Sequence, residues 1–413
     1  MISRLAYAYL SNAFAAGALL YSVAALAQEK APASNASTAA QTSSGWGYNS
    51  NTGITYQKGD FQWTGWGYAE RLFDRDGGAL WRRVRQGMEF DLPSPSDDYR
   101  PTFVYEVDFT DNKFFEERTA RIFENLYVAI QDKKDPAAFK LVVGENTHIL
   151  SREDSLSSGN LPTISRSLIL EEHGSVNSFG TQFGVQVQKA LSPVYTIALS
   201  AQDNRGSLNT DEPKYTVGNS LAGKVLVQAL NDEAAGRKLT FGLGADHTRG
   251  IEDKVFTLVS AIAAEPLGGT EATGNKLTVE GDVAYADVLA TRHVVFEAEA
   301  LQSAFSDSGT RAAGGYVQGQ FSAFESSSAG DLDPFVRYDL VRLTRPDVAG
   351  AASQTAVRLG LNYNLPYTKR LANLHLEYAH NEVDGPTDIV PTARKFDEVW
   401  LEVRVSLTSY NRY

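Results

Sequence analysis

The chain of 413 residues contains no cysteine. That excludes a disulfide framework, a cysteine-ligated metal centre, an iron–sulfur cluster and a thiol nucleophile. Beyond the N-terminal segment, no apolar run reaches the ~18–20 residues of a membrane-spanning helix. Basic residues are in the minority, with 38 Lys+Arg against 50 Asp+Glu and a net charge of −12. This argues against a nucleic-acid partner, which calls for a basic face. No Gly-x-Ser-x-Gly elbow, His-x-x-x-His pair or His-Glu-x-x-His pair occurs, and Gly268-Gly269 is not followed by Lys-Ser or Lys-Thr. The six histidines (His148, His173, His247, His293, His375, His380) are scattered. The chain is therefore expected to be no enzyme and to hold neither metal nor cofactor. What is plentiful is aromatic: 20 Phe, 19 Tyr and 5 Trp.

The N-terminus reads as an address. Arg4 precedes the apolar stretch Ala13–Val23, and Ala25-Leu26-Ala27 fits a small-x-small cleavage site, so residues 1–27 are expected to be a secretory signal peptide. Its removal takes away one arginine, leaving 37 − 50 = −13. Absence of cysteine suits export through an oxidising compartment, where stray thiols would pair. Residues 28–58 are mostly Ala, Ser, Thr, Gln, Asn and Gly. Such composition predicts a flexible tether on the periplasmic side.

Residues 59–413 alternate with period two in segments of roughly 9–13 residues, the length of a tilted membrane-spanning strand. In 101–109, Phe103, Tyr105, Val107 and Phe109 share one face, opposite Glu106 and Asp108. Val399, Leu401, Val403, Val405 and Leu407 alternate with Glu398, Trp400, Glu402, Arg404 and Ser406. Only Ala120–Asp132 is also compatible with a helical period. About sixteen segments occur, joined alternately by short turns such as Leu191–Pro193 and long connections such as Asp203–Ser220 and Arg249–Asn275. Even strand number and asymmetric loops predict an all-β chain, a transmembrane antiparallel β-barrel in the bacterial outer membrane.

Several of these segments, taken in order, resemble the phosphate-selective porin O/P family. They are Gly65–Tyr68, Trp81–Phe90, Tyr105–Phe109, Leu141–Gly144, Phe183–Val187, Gly315–Gln318, Phe335–Asp339 and Leu359–Tyr363. The resemblance implies a sixteen-stranded barrel, usually a homotrimer, whose long third loop folds into the lumen. It also implies a water-filled channel for passive diffusion of small ions and solutes, with anions such as phosphate among the candidates. The longest connection, between Gly144 and Thr181, is the candidate for that loop; it could equally cover the outer rim. Its charged residues Arg152, Arg166, Glu171 and Glu172 are candidates for a constriction.

Strand alternation turns Arg83, Arg85, Arg337 and Arg358 toward water, together with Glu106, Asp108, Glu280, Asp282, Glu297, Glu299, Glu377 and Glu402. Arg82 and Arg83 look like an arginine pair of the family, so Arg82, Arg83, Arg85, Arg337 and Arg358 are the anion candidates, with pairing to Glu89 an equal option for Arg83 and Arg85. The fifth connection departs from the family by holding only Arg249 and Lys254. Weak selectivity without a tight phosphate site is expected. The partners expected are membrane lipid and small solutes. An outer-membrane barrel enzyme, or a structural or adhesin barrel without an open pore, is the alternative that ion conductance would separate.

Overall fold

The computed structural model describes residues 45–408 except 50–52, 60, 76–77, 95, 110–122, 157–160, 175–180, 204–217, 233, 253, 290–291, 327 and 369. The expected signal peptide and the terminal Tyr413 lie outside the described residues. In chain order the strands are β1 (Gly45–Asn49), β2 (Gly53–Lys58), β3 (Phe61–Asp74), β4 (Ala79–Asp91), β5 (Tyr99–Asp108), β6 (Phe123–Asp132) and β7 (Phe139–Thr147). Two short helices follow, α1 (Arg152–Ser155) and α2 (Leu168–Gly174). Then come β8 (Thr181–Ala190), β9 (Tyr195–Asp203), β10 (Asn219–Asp232), β11 (Arg237–Ile251), β12 (Val255–Val259), β13 (Pro266–Glu271) and β14 (Gly274–Leu289). The chain ends with β15 (Arg292–Phe305), β16 (Arg311–Phe321), β17 (Phe324–Ser326), β18 (Gly330–Thr344), β19 (Ala352–Asn364), β20 (Ala372–Asp384) and β21 (Arg394–Ser406).

Sixteen of these strands, β3–β11, β14–β16 and β18–β21, form a closed antiparallel barrel. Closure runs through Trp400↔Asp74 to Ser406↔Tyr68, so the sheet has no open edge along this seam. The alternation is inside-out. Leu221, Leu243, Leu277 and Leu376 are 60%, 70%, 53% and 46% exposed, whereas the residues next to three of them, Ser220, Lys276, Thr278 and Glu377, are buried. Apolar side chains outward and charged ones inward are stable when the outer solvent is hydrocarbon and the inner one is water or other polar groups. Ala120–Asp132, ambiguous in its period, supplies the strand β6.

Two corrections concern the ends of elements. The expected tether is described from Gly45 onward, and there it is a hairpin. β1 pairs with β2, and β2 pairs with Phe61–Gly65 of β3, beyond the point where β21 stops. Trp46, Tyr56 and Trp63 pack on one another with centroids 5.0 and 5.4 Å apart, and Tyr48 Oη donates to the Leu407 carbonyl. Aromatic side chains on the paired strands supply this packing. The long connection also starts later than expected, at 148, because β7 runs to Thr147.

The described residues of that connection, 148–156 and 161–174, enter the barrel. Leu150, Ile164, Leu168, Ile169 and Leu170 join an apolar core with Phe256 and Leu258 of β12, Ile389 and Val390 of the 385–393 connection, and Leu301, Phe305, Val341 and Leu343 of the wall. The β12–β13 hairpin is tied in by Gly269 N donating to Ile389 O at 2.8 Å. A Cβ on Gly268 would lie 2.3 Å from that same carbonyl oxygen, so only glycine permits this approach. One side of the lumen thus holds a packed hydrophobic plug.

Candidate functional site: a one-sided lumen

The loop backbone in the lumen is irregular, so its amides and carbonyls need partners from the wall. Arg358 donates to the carbonyls of Ser165 and Arg166, both at 3.0 Å. Arg404 reaches those of Leu161 (3.1 Å) and Thr163 (3.3 Å), and Asn362 that of Pro162 (2.9 Å). Glu377 accepts from Ile164 N at 2.6 Å. Near α1, Lys224 Nζ donates to Leu150 O at 2.6 Å, and Glu299 accepts from Glu153 N at 3.1 Å. Ser151 caps α1 by accepting from Asp154 N at 3.0 Å. A further buried link is Arg337, whose guanidinium meets Glu153 at 2.6 Å and Asp339 at 3.0 Å and stacks over Tyr316 at 3.9 Å. Burial raises the Glu153 carboxyl, but Arg337 and the bonds from Ser167 outweigh it and hold it below the usual carboxylate range.

On the opposite side the lumen stays open. A cavity of about 800 Å³ lies between the loop and the wall β4–β10. Arg82, Arg83 and Arg85 of β4 line it, with Glu106, Asp108 and Glu124, then Lys140, Gln186 and Gln188 further along the wall. Arg152, Asp154 and Arg166 face it from the loop. A bulge between Glu70 and Arg71 lets Arg71 pair with Trp81 and leaves Arg82 unpaired across the ladder. A bulge turns two successive side chains to one face, which is how Arg82 and Arg83 both line the cavity. A smaller cavity of about 320 Å³ is lined by Arg237, Lys238, Thr240, Ala284 and Val295 near the short-turn end, and Arg152 borders both spaces.

The arginines are not bare charges. Arg82 lies 3.4 Å from Glu402, Arg83 3.0 Å from Glu70, and Arg85 3.0, 3.3 and 3.0 Å from Asp108, Glu106 and Glu124. Glu89, an expected partner for Arg83 and Arg85, instead meets Arg100 at 3.4 Å; it sits four and six residues down β4, beyond their reach. Arg152 is 2.8 Å from Glu297, and Arg166 is 3.5 Å from Asp154.

The candidate residues therefore divide. Arg82, Arg83, Arg85, Arg152 and Arg166 line the open cavity. Arg337 and Arg358 face inward as alternation requires, but they are 1% and 0% exposed beneath the loop and line neither cavity. Glu171 accepts from Arg166 N at 3.0 Å, and Glu172 is fully buried behind the loop. These two turn away because α2 packs its apolar residues against β12 and takes its charged neighbours with it. Lys140 and Gln188, paired across β7 and β8 and both lining the cavity, were missed; alternation alone places them inward.

Among the histidines, His173 Nε2 lies 2.8 Å from Ser303 Oγ, while its Nδ1 lies 2.6 Å from the Ile169 carbonyl. Both residues are fully buried, so this hydroxyl–imidazole pair has no access to a substrate. Burial, aided by Lys276, pushes the His173 imidazole down to about 3.

Fold and lumen together define a transmembrane β-barrel of outer-membrane architecture. No protein-family model matches the chain, and no curated protein matches it. Solved structures do. Among them are OmpT of Vibrio cholerae in a trimer form (11% identity, 84% of this chain and 99% of that one, TM-score 0.54) and the outer-membrane channel DcaP of Acinetobacter baumannii (13%, 85% and 98%, 0.54). A third is the anion-selective porin from Comamonas acidovorans (12%, 84% and 99%, 0.51). At such identities the likeness establishes the shared fold.

Proposed function

We propose that the chain is an outer-membrane porin that passes small ions and solutes passively along the β4–β10 side of its lumen. The observation that carries this reading is the charged, open cavity of about 800 Å³ between loop and wall. The inside-out exposure of the strands and the channels and porins among the matched structures support it. Residues 1–27 would direct export, and a homotrimer accords with the trimer form of the matched OmpT. Selectivity should be weak and its preference mildly anionic. The resemblance to phosphate-selective porins favours anions, yet the β4 arginines are each matched by carboxylates, so no bare arginine cluster is available to bind phosphate tightly. Planar-bilayer recording tests this. Stepwise conductance is expected, with a reversal potential across a KCl gradient that departs modestly toward chloride. An absence of conductance from folded, heat-modifiable protein would remove the porin reading, and micromolar phosphate block would remove the claim of weak selectivity.

A further inference from the structure

Seven cations line the larger cavity: Arg82, Arg83, Arg85, Lys140, Arg152, Arg166 and Lys224. Six of them are within 4 Å of at least one carboxylate, Lys224 meeting Asp282 at 2.6 Å and Glu280 at 3.1 Å. Lys140 is the exception among the described residues: it has neither an ion pair nor a hydrogen bond. The carboxylate whose field reaches it, Glu89, is already engaged by Arg100. Register places Gln188 directly opposite Lys140. The Gln188 amide and the Tyr127 hydroxyl also line the cavity without hydrogen-bond partners among the described residues. Tyr127 is paired with Gly144, where φ is +132° and a Cβ would lie 2.4 Å from Leu126 O. Register thus sets Tyr127 four residues along the wall from the Lys140 rung.

We infer that Lys140, with the amide of Gln188 opposite it, forms the anion-contact station of this lumen. This rests on the porin reading and deepens it. A paired guanidinium has spent its field on its carboxylate, so a passing anion sees little net charge there. An ammonium without a paired carboxylate keeps more of its field for a passing anion and offers up to three N–H donors. Opposite it, the Gln188 NH₂ is a donor for a second oxygen of a small anion, of which carboxylate and phosphate are the fitting class. A point charge on a flexible stem does not impose bidentate geometry, so the station should favour small anions in general and hold none of them tightly.

Charge-balanced substitution separates the station from the arginines. In planar bilayers, Lys140→Gln should lower the chloride-to-potassium permeability ratio about two- to five-fold, while Lys140→Arg retains it. Replacing Arg83 and Glu70 together by Gln, which removes a pair and leaves the local charge unchanged, should leave the ratio within experimental scatter. Because the chain has no cysteine, Lys140→Cys offers a second readout on one folded protein. A cationic methanethiosulfonate should restore the anion preference, and an anionic one should reverse it. Should the balanced double variant move the ratio as far as Lys140→Gln, or should the thiol reagents leave it unmoved, the station is overturned while the porin reading stands. A silent wild-type protein overturns both.

Discussion

The two sides of this lumen use the same residue types to opposite ends. Along β14–β21, Arg337, Arg358 and Arg404 are buried and spend their donors on loop carbonyls and on Glu153 and Glu377. Along β4–β10, Arg82, Arg83 and Arg85 are 12–15% exposed at their side chains and border open space. The distinction does not lie in the strands, which alternate alike on both sides. It lies in what packs against them. Where the 148–180 loop and the β12–β13 hairpin bring apolar residues, the wall charges become anchors; where no loop packs, they stay at water. A charged rung in a barrel wall acquires its role from the loops.

The sharpest way to break the comparison is to remove an anchor. Glu153→Ala removes one of the two buried counter-charges of Arg337 and leaves Asp339 in place, so the cost should approach but not reach the ~3–5 kcal/mol of a buried charge left without any partner. Arg85→Ala on the open side should cost far less. Urea unfolding in detergent micelles measures both, and the loop variant should also show larger, noisier conductance as the loop loosens. Equal destabilisation by the two variants would erase the distinction between anchor and lining.

Next in size is the plug itself. Leu168 is 1% exposed at the centre of the apolar core, and Leu168→Ala should cost about 2–5 kcal/mol through lost transfer energy and a residual cavity. The same substitution at Leu243, 70% exposed toward lipid, should be several-fold milder. Comparable losses at the two sites would mean that the loop core contributes no more than the lipid-facing surface.

Acid should loosen the plug before it affects the open side. His173 is neutral in the fold, with its pKa down at about 3, while in the unfolded chain it titrates near 6.5. As pH falls from 6.5 toward 3 the unfolded chain takes up a proton that the folded one refuses, so stability drops across that window. Glu172, which burial raises well above the ordinary range, acts with opposite sign by holding its proton in the fold. The comparison of His173→Gln with wild type isolates the first effect. The variant should gain on wild type below pH 6.5, by on the order of a few kcal/mol near pH 4, with a constant difference above it. Parallel unfolding curves from pH 8 to pH 4 would show that His173 is solvated.

Most of the barrel was legible because period two and loop asymmetry are local signals that the membrane enforces. The expected number of about sixteen segments is met by sixteen barrel strands, and the loop that enters the lumen is the long one. The site was legible only in part. Inward direction follows from alternation, so Arg83 and Arg85 are where expected. Arg337 and Arg358 obey the same alternation yet lie under a loop from elsewhere in the chain, and no local pattern reports which wall that loop will cover. The pairing of Arg83 with Glu70 depends on a register between strands, and Lys140 gains its interest from partners it lacks. Such features appear only once all inward residues are placed together.

The smallest expected effect is the most direct probe of the open side. Arg85 is shared by three carboxylates, two of which, Glu106 and Glu124, are 14% exposed. Arg85→Gln should therefore cost about 1–2 kcal/mol in stability, because Glu106 and Glu124 can turn to water in the cavity while the buried Asp108 loses one of its partners. Its electrical effect should still be visible. The substitution removes one positive charge beside the cavity, and screening over about 8 Å at physiological salt confines the change to solutes passing that rung. A shift of the reversal potential toward cations of about two-fold in permeability ratio is expected at 0.1 M salt, shrinking at 1 M, where screening is nearer 3 Å. Adding Glu124→Gln restores the local charge and should return the potential toward wild type. A shift that persists undiminished at 1 M salt, or one that Glu124→Gln fails to reverse, would mean that Arg85 shapes the path through its bulk or by holding β4 against β5 and β6, and the open side would then be built from anchors as well.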